Sequence, residues 1–81
     1  MARSISPKTD QARRAIARQL RRARKSAALS YTELAALTKI DRATLCDYEN
    51  ELKSIPSERL VVLAKATNTN VAELLNLRLA A

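Results

Sequence analysis

An all-α fold is what this sequence predicts, on three observations. Glycine is absent and the only aromatic residues are two tyrosines, whereas alanine and leucine, both strong helix formers, abound. Apolar residues recur at spacings of three and four in one segment after another. Pairs that start helices, Ser or Asn followed three residues later by Glu, occur at Ser30 with Glu33 and at Asn70 with Glu73. At 81 residues the chain holds one compact domain with a small core, and no internal repeat or low-complexity segment divides it.

Residues 1–7 read as a flexible basic arm, because Ser6-Pro7 interrupts regular structure and little there is apolar. The domain itself is expected over residues 8–81. A long first helix runs from about Lys8 to Ala27, where Ala12, Ile16, Leu20, Ala23 and Ala27 form one apolar stripe and most of the remaining surface is arginine. Ser30 and Glu33 then form a capping box, each side chain satisfying a backbone N–H at a helix start, and open a second helix from Tyr31 to about Leu37. After a turn of three or four residues, Thr38 to Asp41, the carboxylate of Asp41 is placed to cap a third helix, "RATLCDYEN", at its positive end.

In "SIPSERLVVLAKAT" a fourth helix is expected. Pro56 is tolerated in a first turn, Ser57 is a candidate cap, and Leu60, Leu63 and Ala64 form an inward stripe. Asn70 and Glu73 open a fifth helix through Val71, Leu74 and Leu75 to about Leu77. Five short helices around one core is the expected architecture.

Charge narrows the class of partner. The net charge is +7, but the first 25 residues contribute +8 and the remainder −1, with nine Lys/Arg and one acid before Ser26. Such a block serves as a solvated helix face, a membrane-surface helix or the electrostatic footprint of nucleic-acid binding, and for a small intracellular chain nucleic acid comes first. Cys46 is the single cysteine and there is no histidine, so neither an internal disulfide nor a metal site of the usual Cys/His type is expected. No base partners Cys46 and no glycine loop exists to cradle a nucleotide, so an enzyme is not expected, nor a cofactor. No apolar run approaches the roughly 20 residues of a membrane span, and "MARSISPKTD" lacks the apolar middle of a secretory signal. A cytoplasmic protein without membrane association is therefore expected.

Two short helices joined by a tight turn let the second lie in the DNA major groove while the first braces it. Tyr31 to Asn50 suits that unit: Leu34, Ala35, Ile40, Leu45 and Tyr48 fall where two crossing helices bury side chains, and Ala35 lets the backbones approach. Helical hairpins of other kinds share this pattern.

The run from Leu20 to Leu75 adds a more specific likeness. "LSYTELA" opens the second helix, "TLCDYEN" closes the third, "IPS" opens the fourth, "LAKAT" lies inside it and "VAELL" opens the last. Together these resemble the Cro/phage-repressor helix-turn-helix family of xenobiotic-response-element type. The resemblance implies a five-helix domain of lambda-repressor-like type, with residues 31–50 as the helix-turn-helix, in a bacterial or phage-type regulator associated with the nucleoid through DNA. It also implies a structural ion pair between Arg24 and Glu49.

By the same resemblance the groove-facing residues are Arg42, Ala43, Thr44, Cys46 and Asp47, with Tyr31 and Asn50 near the DNA backbone. Arg42 suits guanine O6 and N7, Ala43 a thymine methyl, and Asp47 cytosine N4. An intrahelical or solvated Asp47 is as compatible with its position. Cys46 reads more naturally as a small neutral side chain near the groove than as a redox sensor, having no resolving cysteine. Arg14, Arg18, Arg21, Arg22 and Lys25 are candidates for phosphate contacts, although a helix has several faces and about half of the basic residues are expected to be simply solvated.

The departures from the family's pattern concern three turns and one side chain. Tyr31 stands where the family usually has glutamine, so its phenol would donate to phosphate. Lys39, Ala27-Ala28 and Glu51 stand where glycine is frequent, so local changes in those turns are expected.

Regulators of this kind commonly bind as dimers at inverted-repeat operators, and Leu77 and Leu79 in "VAELLNLRLAA" are candidates for the dimer contact. The resemblance implies a repressor that occludes a promoter. The principal alternative is an antitoxin or adaptor that grips another protein through its leucine-rich tail. An RNA binder using the arginine-rich helix is disfavoured by the lack of stacking aromatics.

Overall fold

The structure, a computed structural model, describes residues 10–75. Within them lie five helices and no strand: α1 (Asp10–Ser26), α2 (Tyr31–Thr38), α3 (Arg42–Glu49), α4 (Ser57–Ala66) and α5 (Val71–Leu74). Most of the residues expected to point inward do so, whereas Ala23, Ala27 and Ala35 are only half-buried. Ala12, Ile16 and Leu20 of α1 are buried together with Leu34, Ile40, Leu45, Tyr48, Leu60, Leu63, Ala64 and Leu74. The five largest fully buried side chains are Leu20, Leu34, Leu45, Leu63 and Leu74, one from each helix. No described helix is long and apolar enough to cross a membrane.

Local chemistry sets the helix starts. At α2 the Ser30 Oγ accepts from the Glu33 N–H at 3.1 Å and the Glu33 carboxylate accepts from the Ser30 N–H at 2.9 Å, the reciprocal capping box that the spacing predicts. Asn70 caps α5 by accepting from the Glu73 N–H at 2.8 Å. Two expectations are corrected. Asp41 occupies the cap position of α3, yet its side chain makes no capping hydrogen bond; its carboxylate acts on the helix end through charge alone. At α4 the cap position belongs to Pro56, with Ser57 already the first helical residue.

Helix ends hold the main departure from expectation. Ala28, Lys39, Glu51 and Asn68 all adopt left-handed backbone, with φ of 58°, 61°, 65° and 58°. At α1 the Ala28 N–H donates to the Lys25 carbonyl and the Leu29 N–H to the Arg24 carbonyl, the paired bonds of a Schellman termination. The same pattern closes α3 at Glu51 and Leu52, and α4 at Asn68 and Thr69. Lys39 ends α2 with a single bond to the Ala35 carbonyl at 2.9 Å. The turns at Ala28, Lys39 and Glu51 thus keep the conformation that glycine would take and do not depart from it. Each non-glycine residue so held costs roughly 1–2 kcal/mol, which the satisfied carbonyls and the core behind them offset.

Leu77, Leu79, Lys8 and the arm at residues 1–7 lie outside the described residues.

Candidate nucleic-acid interface

The inner and outer faces of α3 divide the labour of the site. Leu45, Tyr48 and Glu49 are buried, Arg42, Ala43 and Asn50 are exposed, and Thr44, Cys46 and Asp47 are half-buried between them. The exposed and half-buried set places Arg42, Ala43, Cys46, Asp47 and Asn50 along one side of the helix at successive intervals of one and three. Thr38, at the end of α2, holds the turn before α3: its Oγ1 donates to the Leu34 carbonyl at 2.7 Å and accepts from the Ile40 N–H at 3.3 Å.

Glu49 fixes the other end of α3. Its side chain has no exposed surface. Oε2 accepts from Arg24 Nε at 2.7 Å, and Oε1 accepts from Arg24 Nη2 at 3.2 Å, Arg21 Nε at 3.3 Å and Tyr31 Oη at 2.9 Å. A buried carboxylate is tolerable only when its acceptor capacity is filled in this way. Arg24 also donates through Nη1 to the Leu29 carbonyl at 2.9 Å, and its guanidinium lies 4.3 Å from the Tyr31 ring centroid, a cation–π arrangement. The hydrogen bonds to Glu49 raise the Arg24 pKa further above its already high ordinary value. Burial first, and then the bond to Glu49, raises the Tyr31 phenol above its ordinary 10.

The structure thus brings Arg24 and Glu49 together and adds two residues whose sequence positions suggested DNA backbone contacts. The Tyr31 proton, expected to reach phosphate, is donated inward to Glu49. Arg21 is half-exposed and reaches Glu49 Oε1, the Glu49 carbonyl at 3.4 Å and Asn50 Oδ1 at 3.5 Å. A signal for Arg21 was present: it precedes Arg24 by three residues, so both share one side of α1.

Asp47 also acquires a partner that the sequence reading missed. Lys53 Nζ lies 3.3 Å from its Oδ2, and the termination of α3 curls the chain back to bring Lys53 there. Asn50 donates through Nδ2 to Cys46 Sγ at 3.1 Å, giving the thiol a neighbour on the same helix face. Arg59 of α4 donates to the Tyr48 phenol oxygen at 2.8 Å, tying α4 to α3.

Beside this face lies a basic stripe. Arg14, Arg18, Arg21 and Lys25 recur every three or four residues along α1 and are all exposed, with Arg22 on its flank. Arg14 pairs with Glu51 at 3.4 Å and Arg21 with Glu49, so the stripe runs past the C-terminal end of α3. Cations and a polar helix face therefore adjoin one another, an arrangement suited to a polyanion whose base edges are read between its phosphates. Among the described residues no cluster of three His, Cys, Asp or Glu side chains is placed to hold a metal ion.

Comparison with known proteins agrees with this geometry. The helix-turn-helix family model HTH_3 matches residues 20–74. An HTH_3 family transcriptional regulator from Vibrio cholerae superposes with a TM-score of 0.77 at 29% identity, over 84% of this chain and 39% of that one. The clp gene regulator ClgR from C. glutamicum gives 0.75 at 25% identity, over 94% and 91%. A hypothetical transcription factor, NHTF, from Neisseria gives 0.75 at 23% identity, over 93% and 84%, a likeness of fold. This chain therefore spans 39% of the length of the Vibrio cholerae protein. No curated protein matches it.

Proposed function

Because the chain belongs to the HTH_3 helix-turn-helix family of xenobiotic-response-element type, we propose that it is a sequence-specific double-stranded DNA-binding transcriptional regulator, and that it represses by occluding a promoter. The observation that carries this reading is the division of α3: its inner face is locked by Glu49 to α1 and α2, and its outer face presents Arg42, Ala43, Cys46, Asp47 and Asn50. A reading helix needs both, since base contacts lose discrimination when the side chains that make them are free to shift.

In this mechanism Arg18, Arg22 and Lys25 attract phosphate directly, while Arg14 and Arg21 do so from ion pairs that share an edge with the DNA. Arg42 donates bidentately to guanine, Ala43 and Thr44 contact neighbouring base edges, and Asn50 meets the DNA backbone. Asp47 accepts from cytosine only by sharing its carboxylate with Lys53, which makes its contribution mainly the rejection of wrong bases. A homodimer places two such helices on an inverted repeat. The regulator acts on cytoplasmic, nucleoid DNA and performs no chemistry of its own.

Enrichment of duplexes from a random pool by the purified protein, near physiological salt, tests this. An enriched inverted repeat is the expected result. Absence of any preference would leave the alternative, an adaptor or antitoxin that binds a protein partner.

A further inference from the structure

The charge of Lys53 is held in place by three features of the fold. Left-handed Glu51 reverses the chain at the end of α3, and the Leu52 N–H closes the turn on the Asp47 carbonyl at 2.8 Å. The next residue therefore returns beside the helical turn that carries Asp47. The Lys53 stem lines a shallow crevice between α1 and α3 with Arg13, Ile16, Tyr48 and Ile55, which restricts where the ammonium can point. Nζ stands 3.3 Å from Asp47 Oδ2, while Oδ1 accepts no hydrogen bond from the described residues.

The two oxygens of Asp47 are thus in different situations. Oδ2 is committed to a cation of the protein, and Oδ1 stays open on a residue that shares its side of α3 with Arg42, Ala43, Cys46 and Asn50. An uncompensated carboxylate on that side is repelled by the phosphates of any DNA sequence and turns away from them. A paired one carries little net charge but keeps an acceptor, so it sorts bases by whether they present a donor.

We propose that Lys53 is a positioning residue for base selection: its ion pair converts Asp47 from a general repellent of DNA into a reader of the cytosine N4 amine in the major groove. Guanine and thymine offer acceptors and no donor there, and the held carboxylate rejects them. This rests on the DNA-binding reading and assigns the selectivity of one base position to a residue outside α3. The side chains of the pair are 58% and 30% exposed for Lys53 and Asp47, so the pair adds little to stability. Its loss should leave the fold intact.

A double-mutant cycle on DNA binding tests the proposal, with urea unfolding of each variant as the check of fold. Duplexes are first selected from a random pool by the wild type, and affinities for the preferred duplex and its single-base variants are then measured by fluorescence anisotropy. Asp47→Asn should flatten the preference at one position. Lys53→Ala should weaken binding to the preferred duplex about tenfold and flatten the preference at that same position. Once Asp47→Asn is present, Lys53→Ala should cost about threefold at most, and Lys53→Arg in the wild-type background should retain the preference. Equal losses from Lys53→Ala in both backgrounds, with the salt slope lowered by about 1 in each, would make Lys53 a phosphate contact alone and overturn the proposal. Base preference untouched by Lys53→Ala or by Asp47→Asn would overturn it as well. A wild type that selects duplexes while the cycle is additive refutes only the role of Lys53, whereas a wild type that selects none refutes the DNA reading and this role together.

Discussion

Arg24 grips both carboxylate oxygens of Glu49, at 2.7 Å from Nε to Oε2 and 3.2 Å from Nη2 to Oε1, and Glu49 has no exposed side-chain surface. The pair therefore sits where water cannot replace either partner.

Glu49→Gln should consequently destabilise the fold by about 2–4 kcal/mol, since it removes the buried negative charge that Arg24 and Arg21 share and turns an amide NH2 donor toward donors. Urea unfolding at neutral pH measures this. Arg24→Lys should recover little, because an ammonium cannot reproduce the two-pronged contact or the stacking on Tyr31. Stability equal to wild type in Glu49→Gln would show that the cluster contributes nothing net.

Arg42→Ala should lose about 1–3 kcal/mol of affinity at the preferred duplex and relax the preference at one base position. Comparing duplexes selected by the variant and by wild type is decisive. An unchanged preference would remove Arg42 from the set of readers.

Arg18→Ala should weaken binding to every sequence alike and lower the slope of log affinity against log salt by about 1. Glu51→Gln should act oppositely, releasing Arg14 from an exposed pair that itself stabilises little. Tighter binding to random DNA is the expected readout, and a loss confined to one base pair in Arg18→Ala would count against a phosphate role.

Ala28→Gly should stabilise the fold by about 1 kcal/mol, because it removes the clash of a Cβ at φ 58°. In a domain of this size that raises the melting temperature by about 4–8 °C. Asn68→Gly should gain less, asparagine tolerating the left-handed region better than alanine. A melting temperature lowered by Ala28→Gly would contradict the account of how α1 ends.

Acid should weaken α2 at its start. The Ser30 N–H first, then the Ser30 hydroxyl, hold the Glu33 carboxyl below its ordinary 4.5. The unfolded chain then binds the proton more readily than the folded one, so this contribution is present above pH 4.5 and is lost as pH falls. Glu33→Gln should show a shallower decline on the acid side in unfolding experiments across that range; an identical decline would dismiss the capping carboxylate as its source.

Much of this was legible in the sequence because it is local. A stripe at three- and four-residue spacing reports burial directly, and Leu20, Leu34, Leu45, Leu60, Leu63 and Leu74 follow it inward. The Ser30–Glu33 box needs only three residues to be recognised. The partners of exposed charges were not legible, since Arg21 with Asn50, Asp47 with Lys53 and Arg14 with Glu51 depend on how α1 crosses α3 and how α3 ends. The left-handed turns eluded the reading for a different reason. Composition announces such turns through glycine, and here alanine, lysine, glutamate and asparagine fill them.

The single fully buried leucine contributed by each helix ties these observations together. A centre assembled from five separate segments has no subset of helices able to survive without the rest, so the reading face possesses no melting point of its own. Heating should abolish base preference and helical signal in one transition. A conservative trimming at Leu74, remote in sequence from α3, would then behave as a temperature-sensitive regulator: competent when cool, silent when warm, and unaltered in what it reads.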